Sequence, residues 1–320
     1  MNLAHPPSLL VLALTLLAAP TGCGGALEGA TTGTGGHDAG AGTSGTGGAT
    51  GSGGAATGLR TLDDCGTKFA ADVPAFYKKY FRCVDVSMSG GDVVLKIDDL
   101  PPHRSPYYAK SDPNWIAFDT QGGTHFQNPN QLSAQSFSVR IPADPVPKGL
   151  TIGKTLVDGQ GGTSVDEYHP KPGAAPGVSL DGVAMFHGVA APGDDLAKQA
   201  FTFDDYEGHP EPTGAYHYHG ASPGPLAALR ANGLVKSTKP GAAEVELYAI
   251  MCDGALVLGC TELDGTAPDS SDFDAQNGHV RDIAADGTVY FAKRYHTHVC
   301  TGKYPDGFAP EIQYYVKCGG

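Results

Sequence analysis

The sequence predicts a mainly β domain, a compact sandwich or closed sheet with few short helices. Short apolar or alternating runs recur between turns rich in Gly, Pro, Asn and Asp, which is the pattern of strands in an all-β protein. The 24 prolines and 46 glycines of the chain disfavour long helices. A histidine-bearing segment also occurs twice in the second half, which predicts two related units within the domain.

Residues 1–22 are expected to be an export signal. The apolar run from Ser8 to Ala19 is too short to span a bilayer, but its length and composition are typical of a cleaved signal. Cys23 follows small residues, as in bacterial lipoproteins that are acylated on such a cysteine. We therefore expect an outer-membrane or cell-surface lipoprotein whose lipid anchor is its only membrane contact, with full secretion as the alternative.

Residues 23–58 are almost wholly Gly, Thr, Ser and Ala. Such a segment buries too little apolar surface to offset the entropy of ordering, so we expect a flexible tether. Residues 59–320 have the composition of a folded domain and contain no second linker. The chain carries 34 acidic residues against 21 Lys and Arg. This balance argues against a nucleic-acid partner, because binding to phosphates requires concentrated positive charge.

Eight strands are predicted in this domain from β propensity and flanking turns. They are Val93–Leu100, Trp115–Thr120, Ser136–Ile141, Val178–Phe186, Ala215–His219, Val245–Met251, Ala255–Leu258 and Thr288–His298. Two short helices are also predicted, one between Cys65 and Cys83 and one from Pro225 to Asn232, where Gly233 follows as a stop signal.

Apart from Cys23, six cysteines remain, an even number that predicts up to three disulfides in an oxidising compartment. Cys65 and Cys83 are expected to pair across the first helix. A hairpin turn at Asp253-Gly254 would hold Cys252 and Cys260 about 17 Å apart at strand rise, too far for a bond. Two pairings therefore stay open for the remaining four, Cys252, Cys260, Cys300 and Cys318.

The repeated unit starts at an Asp-Gly turn, continues through aspartates and a Gly-His pair, and ends in a His-x-His pair. In the first unit these are Asp181-Gly182, Asp204-Asp205, Gly208-His209 and Tyr216-His217-Tyr218-His219. In the second they are Asp253-Gly254, Asp272, Asp274, Gly278-His279 and Tyr295-His296-Thr297-His298. The single histidine precedes the pair by 8 residues in the first unit and by 17 in the second, where Asp286-Gly287 predicts an inserted hairpin.

These histidines are candidate metal ligands. Alternate side chains on a strand share a face, so each His-x-His pair directs two imidazoles the same way, with Cβ atoms about 6.5 Å apart. Two such imidazoles can bind one ion. The candidate ligands are His209, His217, His219, His279, His296 and His298. The alternative is that they are half-buried structural histidines, bonded to carbonyls and packed by tyrosines.

Imidazoles with one or two carboxylates favour zinc or copper, and less clearly iron, over calcium or magnesium. Calcium is a lesser expectation at the acidic loop Asp264 to Asp274, against an ordinary solvated loop. Cys300 lies two residues beyond His298 and could supply a further ligand, although a disulfide is the usual state of an exported cysteine. The expected arrangement is one shared metal site, or two related sites, at the junction of the repeats.

The sequence resembles the bacterial YHYH-domain proteins over roughly residues 84 to 320, with the signature intact at 216–219. The resemblance is carried by Asn128-Pro129-Asn130, Arg140-Ile141-Pro142, Gly177–Val183, Gly208-His209-Pro210, Gly214, Tyr248-Ala249, Asp253-Gly254, Asn277-Gly278-His279 and Tyr295–His298. Thr297 and the run Ala255–Leu258 depart from the family pattern. The resemblance implies the fold and an exported location, and it leaves the activity open.

Three functions are therefore considered. The first is an envelope-tethered module that binds a metal ion. The second is a metal-dependent enzyme in which an open coordination position activates water, with Asp204, Asp205, Asp274 or Tyr216 as acid or base. The third is a metal-free adhesion or structural module. The sequence contains no phosphate loop or His-Glu-x-x-His helix, which favours binding over catalysis.

Overall fold

The computed structural model describes residues 58–150, 152, 168, 173–190, 195–300 and 308–318. The predicted export signal, Cys23 and all of the predicted tether except Gly58 lie outside the described residues. The described ranges contain twelve strands and three α-helices. In chain order these are β1 Lys68–Phe69, α1 Ala75–Tyr80, β2 Asp85–Ser89, β3 Asp92–Ile97, β4 Phe137–Pro142, β5 Gly177–Ser179, β6 Ala184–Met185, α2 Leu196–Gln199, β7 Gly208–Pro210, β8 Tyr216–Tyr218, α3 Pro223–Ala231, β9 Leu247–Met251, β10 Leu256–Leu258, β11 Gly278–Ala285 and β12 Thr288–His298.

A small sheet has the order β1-β2-β3-β4. Strands β2, β3 and β4 form an antiparallel meander, and β1 pairs parallel to β2. Gly90 and Gly91 both have positive φ, 63° and 84°, which allows the tight turn between β2 and β3. The predicted strands Val93–Leu100 and Ser136–Ile141 correspond to β3 and β4.

The large sheet has the order β11-β12-β10-β9-β5-β6-β8-β7. Its two halves are equivalent about the antiparallel β5–β9 pair at the centre. In each half a tight Asp-Gly turn joins two antiparallel strands, the second of which pairs parallel to the strand that carries the His-x-His pair. The predicted repeat is therefore confirmed, as a first repeat over residues 177–219 and a second over residues 247–298.

The different spacing of the histidines comes from the outermost hairpin. In the second repeat, β11 and β12 extend beyond the histidines to a turn where Asp286 and Gly287 both have positive φ, 51° and 73°. These are the dihedrals of a two-residue hairpin turn, as the sequence predicted. The insertion lengthens the distal end of the hairpin and leaves the histidine register unchanged.

One hydrophobic core includes side chains from both sheets, among them the fully buried Leu95, Val139, Val178 and Leu256. The mainly β prediction with few short helices is confirmed. The closed-sheet alternative is not observed, because both sheets have two free ends in the strand order. Within the described ranges, no helix is long and apolar enough to cross a bilayer.

Two strand predictions need correction. Trp115–Thr120 is not a strand, since the Trp115 amide closes a turn onto the Asp112 carbonyl and the residue forms an isolated bridge with Ser105. Val178–Phe186 is two strands, because Gly182 has a φ of 77° and forms the turn between β5 and β6. Helix α3 confirms the second predicted helix and starts two residues earlier, where the Ser222 hydroxyl accepts from the Gly224 amide.

Three disulfides are present among the described residues. Cys65 pairs with Cys83, as predicted. Cys252 pairs with Cys318 and Cys260 with Cys300, which is one of the two pairings that the hairpin argument left open. The bond between Cys260 and Cys300 joins the chain after β10 to the chain after β12.

Candidate metal centres

The six predicted histidines form two separate clusters. Site 1 consists of His209, His217 and His219, all in the first repeat. Site 2 consists of Glu262, His279, His296 and His298, all in the second repeat. The strand order puts five inter-strand steps, about 24 Å, between β8 and β12. The histidines therefore form two related clusters rather than one shared cluster, and neither lies at the junction of the repeats, where the metal site was expected.

Strand pairing brings the single histidine to the His-x-His pair. His209 on β7 is directly opposite His217 on β8, and His279 on β11 is directly opposite His296 on β12. The third histidine of each site lies two residues further along, on the same face. The same local architecture therefore builds both sites.

The glycine of each Gly-His pair has a specific steric role. A Cβ on Gly208 would overlap the Tyr216 ring, whose hydroxyl donates to Asp204 at 2.8 Å. The second repeat has the same arrangement, with Gly278 against Tyr295, whose hydroxyl donates to Asp274 at 2.7 Å. These tyrosines lie on the strand face opposite the histidines, so they hold the hairpin in register and do not face the histidine cluster.

In site 1 the Nε2 atoms converge. The His217 Nε2 lies 3.1 Å from the Nε2 of His209 and 3.1 Å from that of His219. All three side chains are buried, and Phe186 stacks on His217 with ring centroids 3.9 Å apart. The convergence occurs inside the protein.

The opposite ring nitrogens establish which tautomers are present. The Nδ1 atoms of His217 and His219 lie 3.1 Å and 2.9 Å from the carbonyl oxygens of Ala215 and His187, which can only accept. The Nδ1 of His209 lies 2.6 Å from the Thr202 hydroxyl, whose own proton is donated to the Gln199 carbonyl. Each Nδ1 therefore carries the proton of a neutral imidazole, and each Nε2 presents a lone pair.

Three lone pairs at this separation have no proton to share, because a neutral imidazole has one N–H. An additional proton is disfavoured: burial lowers the pKa of His209 to about 3, with repulsion from His219 adding to the effect. Burial likewise lowers the pKa values of His217 and His219 well below their ordinary range. A cation held by the three Nε2 atoms is the arrangement that satisfies them.

Site 2 has the same imidazole arrangement with a carboxylate added. The Nε2 of His279 lies 2.8 Å from that of His296 and 3.4 Å from that of His298. The Glu262 oxygens lie 3.2 Å, 3.1 Å and 3.6 Å from the Nε2 atoms of His279, His296 and His298. Four ligands at tetrahedral zinc are about 3.3 Å apart when the metal–ligand distances are about 2.0–2.1 Å, and these separations are close to that value.

The Nδ1 atoms of site 2 also face oxygens. His296 and His298 are 3.0 Å and 2.9 Å from the carbonyls of Arg294 and Gly259, and His279 is 2.9 Å from a carboxylate oxygen of Asp272. Such outer partners fix the tautomer and ring orientation of metal-binding histidines. The two sites thus differ at one outer position, a hydroxyl in site 1 and a carboxylate in site 2.

The carboxylates make the electrostatics of site 2 different. Burial alone would lower the pKa of His279, but hydrogen bonds to Glu262 and Asp272 raise it above its ordinary value. Burial would raise the pKa of Glu262, but hydrogen bonds with the three histidines hold it well below its usual range. Glu262 therefore stays ionised and available as an anionic ligand.

The two sites also differ in access. The three histidines of site 1 line a cleft of about 370 Å³ together with Phe186, Val189, Ala190, Pro210 and Pro212. No carboxylate or other metal-ligating side chain among the described residues joins this cluster. In site 2, Glu262 occupies the fourth position, with its side chain 19 % exposed and the three imidazoles behind it at most 2 % exposed.

The remaining site predictions have different outcomes. Cys300 is in a disulfide and does not join site 2. The carboxylates of the Asp264 to Asp274 loop bond to protein groups: Asp264 to Thr266, Asp272 to His279 and Arg281, and Asp274 to Tyr295. Asp204 and Tyr216 bond to each other on the far face of β8, so the pair is not placed to act as acid or base at site 1.

Glu262 was missed by the sequence reasoning. The first repeat has no carboxylate at the equivalent place, so comparison of the repeats gave no signal for it. The cysteines near Glu262 did carry a signal, because Cys260 precedes Glu262 by two residues and Cys300 follows His298 by two. The disulfide between these cysteines brings Glu262 to the histidines.

Comparison with protein families supports the motif-based resemblance. The family model described as YHYH protein matches residues 162–261, a narrower span than the motifs suggested. This span includes all of site 1 and ends one residue before Glu262. Comparisons with curated proteins and with solved structures find no match.

Proposed function

We propose that this chain, which has a YHYH domain at residues 162–261, is an exported, lipid-anchored protein that binds two zinc or copper ions, one in each repeat. The observation that carries the proposal is the orientation of six histidines. Every Nδ1 faces an oxygen acceptor and every Nε2 faces another ligand atom, in two clusters that resemble each other residue by residue. In site 1 this leaves three unprotonated nitrogens directed at one another with no acid between them, an arrangement that structural histidines have no reason to adopt.

The donor set supports zinc or copper. Site 1 offers three imidazole nitrogens, and site 2 offers three with one carboxylate oxygen. Calcium and magnesium prefer sets of oxygen ligands, whereas imidazole suits zinc and copper. The four protein ligands of site 2 favour zinc there, since zinc is bound by four ligands in most structural protein sites.

The metal proposal is tested by elemental analysis of the folded chain, purified without a nickel column and dialysed against metal-free buffer. We expect about two ions of zinc or copper per chain. A chelator-stripped sample should recover two ions on dialysis against either metal. A folded sample that contains neither metal and takes up neither would contradict the proposal and favour the metal-free adhesion module.

The lipid anchor is a separate part of the proposal and rests on the sequence around Cys23. In cells that make the whole chain, we expect the protein in the membrane fraction and a Cys23→Ser variant in the soluble exported fraction. Recovery of both proteins in the soluble fraction would favour cleavage and secretion.

A metal-dependent enzyme is the second candidate function. The observation that favours it is the cleft beside site 1, because a catalytic metal needs a position that substrate or water can reach. Two of the four residues predicted as acid or base, Tyr216 and Asp204, do not support it, since they bond to each other on the opposite strand face.

A further inference from the structure

We infer that site 1 binds its ion with an open coordination position, and that this position takes an external ligand with an anionic oxygen or nitrogen donor and an apolar body. The inference rests on the proposed function and extends it. Site 2 serves as the internal comparison, because Glu262 fills the corresponding position there.

The repeats identify which residue replaces Glu262 in the first repeat. His298 donates to the carbonyl of Gly259, six residues after Asp253, and Glu262 lies three residues further on. His219 donates to the carbonyl of His187, six residues after Asp181. The residue three positions beyond His187 is Ala190, whose methyl group cannot bind a metal ion.

Ring stacking and strand register around the two sites support the equivalence of Ala190 and Glu262. Phe203 stacks on His219 with an interplanar angle of 15°, and Phe273 stacks on His298 at 13°. The strands that carry Ala184 and Leu256 pair parallel to those of His217 and His296 in the same register. The replacement of Glu262 by Ala190 is thus a local change within a common backbone arrangement.

Ala190 lines the same cleft as the three histidines of site 1. The position that the Glu262 side chain occupies in site 2 therefore corresponds to part of the cleft in site 1. An ion held by three neutral imidazoles keeps its full positive charge, which favours an anion in the fourth position. The site therefore favours an anionic donor that can displace water.

The rest of the cleft favours an apolar body on that ligand. Its lining includes Phe186, Val189, Pro210 and Pro212, and its one acidic residue, Glu211, accepts a hydrogen bond from the Thr213 hydroxyl. The side-chain amides of Asn128 and Asn130 both donate to the Pro210 carbonyl, which directs these donors to the protein. An aliphatic carboxylate has the required combination of an anionic donor and apolar carbons.

Cobalt(II) is a suitable probe, because its visible spectrum reports coordination number and ligand type. The whole folded chain would be stripped of metal, loaded with cobalt and titrated with azide. We expect two bound cobalt ions, of which one responds to azide. In Glu262→Ala both ions should respond, and in Ala190→Glu neither should.

Ala190→Leu is the matched control for the added bulk. The Glu variant should shift the cobalt spectrum before azide is added, because it supplies an oxygen ligand, whereas the Leu variant should leave that spectrum unchanged. If Ala190→Glu does not fold, the gain of response in Glu262→Ala tests the inference alone. The Glu262 side chain is partly exposed, and its replacement by Ala leaves the three histidine ligands of site 2 in place.

The apolar body is tested by competition of acetate and hexanoate with azide at the wild-type cobalt protein. We expect hexanoate to bind at least tenfold more tightly, because part of its chain is removed from water. Equal affinities would overturn the apolar-body assignment. Azide responses at neither ion or at both ions of the wild type would overturn the open position. Failure of cobalt to bind at either site would instead overturn the proposed function, and this inference with it.

Discussion

The two ends of the large sheet contain the same three-histidine arrangement in different chemical surroundings. At site 1 the imidazoles line a cleft and are oriented by neutral groups, Thr202 and two backbone carbonyls. At site 2 two carboxylates, Glu262 and Asp272, contact the histidines. The backbone frame is shared, so the differences lie in a few side chains. A duplicated unit can thus keep one site closed and leave the other accessible without any change of fold.

The comparison also separates the contacts that support the strands from the side chains of the two histidine clusters. The Gly-Tyr-Asp contact occurs in both repeats and lies on the strand face away from the histidines. Tyr218, by contrast, donates to Asp181 at 3.0 Å, while the hydroxyl of its counterpart Thr297 has no hydrogen-bond partner among the described residues. In the second repeat Asp253 is instead bound by the Tyr315 amide at 3.0 Å. The replacement of tyrosine by Thr297 therefore changes how the Asp253-Gly254 turn is supported and leaves the histidines of site 2 unchanged.

The largest effect is expected from removing one histidine ligand at a time. His217→Ala should abolish binding at site 1 and leave site 2 loaded, and His296→Ala should do the reverse. The metal content of each variant should fall from about two ions to about one, measured by elemental analysis after dialysis. Loss of both ions from either variant would indicate a shared site. His125→Ala, outside both clusters, serves as the control.

The next largest effect is expected from the disulfide that is specific to site 2. Changing Cys260 and Cys300 to Ser should lower the free energy of unfolding by about 2–4 kcal/mol, the usual range for a disulfide. It should also weaken metal binding at site 2 alone, because Glu262 and His298 would no longer be held together. Denaturant unfolding and metal competition measure the two effects.

The Cys65–Cys83 disulfide provides the matched control, since its residues belong to neither metal site. Its removal should also destabilise the chain but leave both metal affinities unchanged. Equal weakening of site 2 by the two disulfide variants would show that the Cys260–Cys300 bond has no specific role there.

A smaller effect is expected from the outer partners. Thr202→Val removes the acceptor of the His209 Nδ1 proton with little change in volume, and should weaken site 1 about ten- to a hundredfold, as outer-partner changes do. Asp272→Asn keeps an acceptor for His279, and should weaken site 2 less. Competition with a chromophoric chelator measures both affinities. A larger loss in the Asn variant would contradict this ranking.

The smallest perturbation is a pH titration of the metal-free protein followed by histidine NMR signals. His279 should titrate above 6.5, and His209 should titrate near its pKa of about 3. A raised pKa means that the folded state binds the proton more tightly, so the stabilisation by His279 is present at low pH and is lost as pH rises through its folded pKa. His209 acts oppositely: its contribution is present above 6.5 and is lost as pH falls towards 3. If both His279 and His209 titrated near 6.5, the predicted electrostatic difference between site 2 and site 1 would be contradicted.

Much of the site could be predicted because its geometry is local. Strand β12 has the predicted bounds Thr288–His298, and period-2 alternation alone places His296 and His298 on one face. The Asp286-Gly287 turn and the repeated Gly-His pair are also local signals. These signals suffice to predict that each single histidine belongs to the same candidate site as a His-x-His pair.

The rest depends on contacts between distant segments. Glu262 reaches site 2 through the Cys260–Cys300 disulfide, and the sequence left that pairing open. The separation of the sites follows from the central pairing of β5 with β9, a tertiary contact that puts β8 and β12 on opposite sides of the centre. Strand β7, Gly208–Pro210, is too short to give a periodic signal.

The central claim, two separate metal sites with one in each repeat, is tested most directly by anomalous diffraction from crystals of the metal-loaded protein at the zinc or copper edge. We predict two peaks per chain. One should lie about 2.0–2.1 Å from the Nε2 atoms of His209, His217 and His219, and the other at the same distance from those of His279, His296 and His298, with a Glu262 oxygen as the fourth ligand. A single peak bound by histidines of both repeats, or no peak at either cluster, would contradict the account.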